Sequence, residues 1–102
     1  MKILLVCSGG MSSAIIVKAV EKEAAKTDMP LEMKSVATGE VTDELIKGWD
    51  ALLVAPQVRH RLSLFQEAAA PYGIPVILIP PQGYSPLGGQ VILAEIKKVL
   101  AT

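Results

Sequence analysis

The hydrophobic period of this chain switches repeatedly between strand and helix, and that constrains its fold more than any other feature. Residues 3–6 form a short all-apolar run, as expected of a strand buried on both faces. From Ser12 or Ser13 to about Lys26 the period is helical. Ile16, Val17, Val20 and Ala24 share one face, and Lys18, Glu21, Lys22 and Lys26 lie opposite. Asp28-Met29-Pro30 breaks that helix. Residues 31–37 alternate, with Glu32 and Lys34 on one side and Leu31 and Met33 on the other, which suits an edge strand. Thr42 is placed to cap a short helix reaching Lys47, with Asp43 and Glu44 in its first turn and Gly48 after its end.

Residues 51–55 are a second fully apolar strand, with Trp49 expected to anchor the core beside it. Val58, Leu62, Phe65 and Ala69 then recur at helical spacing until Pro71-Tyr72-Gly73 stops them. Residues 76–79 read as the last strand and residues 80–86 as a loop. Ile92, Ile96, Val99 and Leu100 give a C-terminal helix its buried stripe.

Alternating short strands and helices imply an α/β fold: a four-stranded parallel, open, twisted sheet with helices on both faces and right-handed crossovers. The alternating second strand belongs at an edge, and the apolar first and third strands belong in the centre. The order 2-1-3-4 satisfies both. In that order the chain reverses direction across the sheet between strands 1 and 3, and ligands of open α/β sheets bind at such a crevice. The loops meeting there are residues 7–13 and 56–59. No repeat or linker divides the chain, so residues 1–102 are expected to form one domain.

Composition excludes several classes of function. Ten Lys plus Arg balance ten Asp plus Glu without charge blocks, and only Trp49, Tyr72, Tyr84 and Phe65 are aromatic, so no nucleic-acid footprint is expected. No apolar stretch reaches the roughly 18–20 residues of a membrane span, and residues 3–7 are too short for a signal-peptide core. A cytoplasmic chain with no membrane insertion is expected. One Cys and one His do not make a usual zinc site, so neither metal nor organic cofactor is expected.

Cys7 ends the first apolar run, and Ser8-Gly9-Gly10-Met11-Ser12-Ser13 follows it into the first helix. Taken alone, such a cysteine could be a small buried hydrophobe. The loop argues otherwise. Its glycines permit the backbone geometry of a phosphate nest, and Ser8, Ser12 and Ser13 add hydroxyls. Backbone N–H groups at a helix start suit an oxyanion and favour a thiolate over a thiol. No Gly-Lys-Ser/Thr follows, so this is not a nucleotide P-loop, and the absence of C-x-x-C argues against dithiol redox chemistry.

Two ways of handling a phosphoryl group remain. A cysteine phosphatase places Arg six positions after its Cys, as in C-x5-R, to clamp the phosphoryl oxygens. Here that position is Ser13. A phosphatase also needs a general acid. Asp28 and Asp50 precede strands, at the wrong end of the sheet, and Asp43 follows the edge strand, remote from the crevice. Without the Arg and the acid, a phosphocysteine should form and wait, which is the behaviour of a carrier. A small cysteine phosphatase or arsenate-reductase-like enzyme, and a non-catalytic anion-binding module with an inert cysteine, remain as alternatives.

Residues 7–13 resemble the phosphorylation loop of the lactose/cellobiose-type IIB component of the bacterial sugar phosphotransferase system (PTS). Ala55-Pro56-Gln57-Val58 resembles that family's small-Pro-Gln-apolar motif, and Tyr84, with Gly88-Gly89 beyond it, its Tyr-Gly segment before the last helix. The resemblance implies that Cys7 accepts a phosphoryl group from a phosphohistidine on a IIA partner and passes it to a sugar held by membrane-embedded IIC. No long exposed apolar stripe suggests an obligate dimer, so a monomer that meets both partners transiently is expected. Relatives often have an acidic residue after the fourth strand, where this chain has Pro80-Pro81. Gln57 is a candidate to hydrogen-bond the loop or the phosphoryl group, and Tyr84 an auxiliary residue. Arg59, His60 and Arg61 form the only compact basic cluster, which reads first as a solvated face; the alternative is that Arg59 or Arg61 meets an acidic patch on a partner or screens the phosphate.

Overall fold

In the computed structural model, residues 1–7, 12–26, 31–85 and 87–100 are described. Four strands form the sheet: β1 (Lys2–Cys7), β2 (Glu32–Ala37), β3 (Ala51–Val54) and β4 (Val76–Leu78). Their order is β2-β1-β3-β4 and every neighbouring pair is parallel. The expected order 2-1-3-4 is therefore the observed one. The four α-helices are α1 (Ser12–Lys26), α2 (Val41–Leu45), α3 (Leu62–Ala69) and α4 (Gly89–Leu100).

Strand periodicity sorts the core into two layers. Ile3 and Leu5 of β1 join Ile16 and Val20 of α1 and Ile92 and Ile96 of α4 on one face. Leu4 and Val6 join Leu45 of α2 and Phe65 and Ala69 of α3 on the other. Both central strands are covered on each side, so their residues are apolar without alternation; Ile3, Leu4, Leu5, Val6, Leu52 and Leu53 are all 0 % exposed. Each such side chain contributes about 1.5–3 kcal/mol by leaving water. Trp49 lies in the α2/α3 layer as expected, and its ring lies 5.1 Å from the Lys2 ammonium.

Three local expectations give way to tertiary structure. Thr42 does not cap the second helix: a 3-10 turn over Thr38–Glu40 already leads into α2, leaving Thr42 inside the helix. The Glu40 carboxylate takes over part of the capping by accepting the Ala37 N–H at 3.3 Å. The helix inferred from Val58 starts as a 3-10 turn over Pro56–Arg61, with Val58 itself at φ −117°, ψ 21°, and becomes α-helical only at Leu62. Val58 is still buried, so its apolar signal was tertiary rather than helical. Val99, expected in the C-terminal stripe, is 42 % exposed, because Leu93 fills the core with Ile92 and Ile96.

Glu44 is the one buried charged residue among the described residues. Its Oε2 accepts hydrogen bonds from Lys34 Nζ at 2.7 Å and Lys47 Nζ at 3.1 Å. Those bonds, the Lys34 one foremost, hold its carboxyl below the usual carboxylate range. A residue that reads as a favourable first-turn acid thus ties α2 to the exposed side of the edge strand.

Candidate functional site at the sheet switch point

Cys7 is the last residue of β1, at the carboxyl end of the sheet. Its Cα pairs with Ala37 of β2, while on the other side Val6 pairs with Val54 of β3. Beyond Cys7 the chain enters α1 on one face, and beyond β3 it enters the Pro56–Arg61 turn and α3 on the other. The thiol therefore stands where the two connections diverge, the crevice position of open α/β sheets.

The turn after β3 is held to this strand end. The Ala55 N–H donates to the Val6 carbonyl at 3.0 Å, and Val58 and Ala55 are buried in the same cluster as Cys7. Strict alternation from Ile3 and Leu5 would turn Cys7 toward α1 and α4. Instead it packs with the α2/α3 layer, is 5 % exposed, and its Sγ lies 3.9 Å from the Val36 carbonyl oxygen.

Ser8, Gly9, Gly10 and Met11 lie outside the described residues. Ser12 and Ser13 open α1, whose first turn carries no acidic side chain to repel an anion. Gln57 and Arg59 are both exposed on the turn beside the site, as are His60 and Arg61. Tyr84 takes a different position. It is half-buried at the end of a 3-10 turn over Pro81–Gly83 and packs against both core layers, so it lies across the rim of the sheet. Gly88 and Gly89 are closely approached: a Cβ on Gly88 would clash with the Gly83 carbonyl oxygen, and one on Gly89 would lie 2.6 Å from that of Ala19.

Other features fall elsewhere. Asp50 sits at the amino end of the sheet, where its Oδ2 accepts the Lys2 N–H at 2.7 Å. A groove of about 250 Å³ runs between α1 and α4, lined by Glu23, Gln90, Leu93, Ala94 and Lys97, in the outer helical layer and not at the switch point. Among the described residues no cluster of three His, Cys, Asp or Glu could hold a metal ion, and no helix is long and apolar enough to cross a membrane.

An open parallel sheet with a cysteine at its switch point defines a cysteine-centred α/β protein. The family model of the PTS system lactose/cellobiose specific IIB subunit matches residues 2–100, and the chain belongs to that family. It is thus a phosphotransferase component of the EIIB type, a phosphoryl carrier of a sugar-uptake system.

The chain is 28 % identical to the galactose-specific EIIB component of Lactococcus lactis subsp. cremoris, across 96 % of this chain and 94 % of the relative. It is 32 % identical to the oligo-beta-mannoside-specific EIIB component of Bacillus subtilis, across 87 % of this chain and 85 % of the relative. The solved lactose-specific IIB domain of Streptococcus pneumoniae superposes with a TM-score of 0.77 at 26 % identity, covering 93 % of this chain and 96 % of that one.

Proposed function

We propose that Cys7 is the phosphoryl-carrying residue of this chain and that residues 8–13 hold the phosphoryl oxygens through backbone N–H groups and the hydroxyls of Ser8, Ser12 and Ser13. The donor is the phosphohistidine of a cytoplasmic IIA protein. Sγ attacks phosphorus in line: the S–P bond forms as the N–P bond breaks, and the imidazole nitrogen leaves with the bonding pair. In the second step a hydroxyl of the sugar held by membrane IIC attacks phosphorus and gives up its proton. The S–P bond breaks and the thiolate departs. Sulfur suits both roles, as nucleophile and as leaving group.

The single observation carrying this reading is the position of Cys7 at the carboxyl end of a central strand, beside the turn after β3. Its support from local chemistry is an α1 first turn without acidic side chains. Gln57, on that neighbouring turn, is a candidate for a further hydrogen bond to the phosphoryl group. Tyr84 acts by shaping the rim. Specificity for the sugar is assigned to the IIC partner, a reading supported by the comparable identity of this chain to galactose-specific and oligo-beta-mannoside-specific EIIB components.

The test is phosphorylation with phosphoenolpyruvate and the upstream components through IIA, read by intact mass. One phosphoryl group should be gained by the wild type and none by Cys7→Ser. A gain that survives Cys7→Ser, or no gain by the wild type, overturns the assignment.

A further inference from the structure

We propose that Arg59 and Arg61, flanking His60, form a cationic docking patch that favours the phosphorylated form of an acidic donor protein and releases that protein once its phosphoryl group has moved to Cys7. The proposal rests on Cys7 being the carrier residue, as above. All three side chains are exposed on the Pro56–Arg61 turn. None of them takes part in a salt bridge among the described residues. The chain as a whole is neutral, so the positive charge here is a local concentration and not a reflection of net charge. Between Asp50 and Glu67 the sequence has no acidic residue at all.

Packing ties the patch to the core layer that also holds the thiol. Val58, immediately before Arg59, is buried in the cluster that holds Cys7, and Ala55 is bonded to Val6 at the same strand end. Guanidinium groups remain charged at any physiological pH and match phosphate oxygens in geometry. Two of them, exposed on the turn that follows β3, fit an anionic protein face around a phosphohistidine.

Transfer itself changes the balance. A phosphoryl group carries about −1.5 to −2 charges at neutral pH. Before transfer that charge is on the donor and is attracted by an uncompensated patch. After transfer it lies on Cys7, where it offsets the arginines, and the donor has lost it. Both changes weaken the attraction, so the spent donor is released and the face is cleared for the acceptor. Steering of this kind acts mainly on the association rate and is screened over about 10 Å at 0.1 M salt.

The experiment mixes purified phosphorylated IIA with the full chain and follows phosphocysteine formation by rapid quench and intact mass over a range of salt. Arg59→Ser with Arg61→Ser should slow the second-order rate about tenfold at low salt, with the gap narrowing as salt rises, and Arg59→Glu with Arg61→Glu should slow it further. Lys97→Ser with Lys98→Ser removes the same charge from the last turn of α4, whose side chains there are also exposed, and should leave the rate within about twofold. Unphosphorylated IIA should bind the phosphocysteine form several-fold more weakly than the thiol form. Equal slowing by the arginine and lysine pairs, no slowing by the arginine pair, or equal binding to both forms overturns the patch while leaving the role of Cys7 intact. If the wild type gains no phosphoryl group, both readings fall together.

Discussion

The Sγ of Cys7 lies 3.9 Å from the carbonyl oxygen of Val36 on the neighbouring edge strand, inside the layer covered by α2 and α3. The thiol proposed to meet two protein partners thus rests with its sulfur against the core. Replacing it tests packing and chemistry separately. Cys7→Ser keeps a side chain of similar size, and Cys7→Ala removes only one heavy atom beyond Cβ. Both should fold, with a loss of about 1 kcal/mol for Cys7→Ala. Neither should gain a phosphoryl group. Urea unfolding followed by circular dichroism checks the first outcome, and intact mass after incubation with phosphorylated IIA checks the second.

The same burial predicts size selectivity toward thiol reagents. At 5 % exposure, Cys7 should react in the native state far more readily with a small methanethiosulfonate than with a bulky aromatic disulfide. The ratio of the two rates, compared with the ratio for the unfolded chain in denaturant, is the measurement. Equal ratios would mean that the sulfur spends most of its time outside the core.

Gly89→Ala should destabilise the protein although alanine is the better helix former. Propensity alone favours the change by about 1 kcal/mol. The new Cβ, however, would lie 2.6 Å from the Ala19 carbonyl oxygen, a backbone atom of α1 that cannot rotate away. Either α4 moves off α1 or the helix start distorts, and overpacking of this kind costs about 1–3 kcal/mol. A lower midpoint in urea is the expected result, and an unchanged or raised midpoint would show that the two helices separate at little cost.

Legibility in the sequence followed the range of the force involved. The four strands were readable because β1 and β3 are buried on both faces, which leaves a run such as residues 3–6 no polar position. The place of Cys7 followed from strand order alone. What local patterns missed was set by neighbours distant in the chain. The start of α2 is displaced by the turn at Thr38–Glu40, and Val58 is apolar because of the cluster beneath it, not because of a helix. Glu44 read as a favourable first-turn acid, and its partner Lys34, on another element, makes it a buried anchor. The side toward which Cys7 packs departs from strand alternation and had no signal in the sequence.

Glu44→Gln should destabilise the protein at neutral pH, and the effect should fade in acid. The Lys34 and Lys47 ammonium groups lower the carboxyl pKa in the folded state. A group whose pKa is depressed on folding stabilises the native state above its unfolded value, about 4.3 for glutamate, and loses that contribution as pH falls through the lower native value. The amide keeps the shape but not the charge. The midpoint gap between wild type and variant should therefore be full at neutral pH and shrink as pH falls below about 4.3. A gap that stays constant with pH would show that the lysines contribute through packing and not through charge.

Ser13→Arg should shorten the life of the phosphocysteine. Ser13 stands six positions after Cys7, at the second residue of α1. A guanidinium there can clamp two phosphoryl oxygens and stabilise the charge that develops when water attacks phosphorus. The wild type has serine at that position, and Asp50, which precedes the third strand, accepts the Lys2 N–H at the opposite end of the sheet. With the arginine but still without a general acid, hydrolysis should quicken by about tenfold and not reach the rate of a true phosphatase. The decay of intact-mass signal from phosphorylated protein, after removal of the donor, gives the lifetime directly. An unchanged lifetime would mean that the carrier holds its phosphoryl group by excluding water from the loop, and not by lacking the arginine.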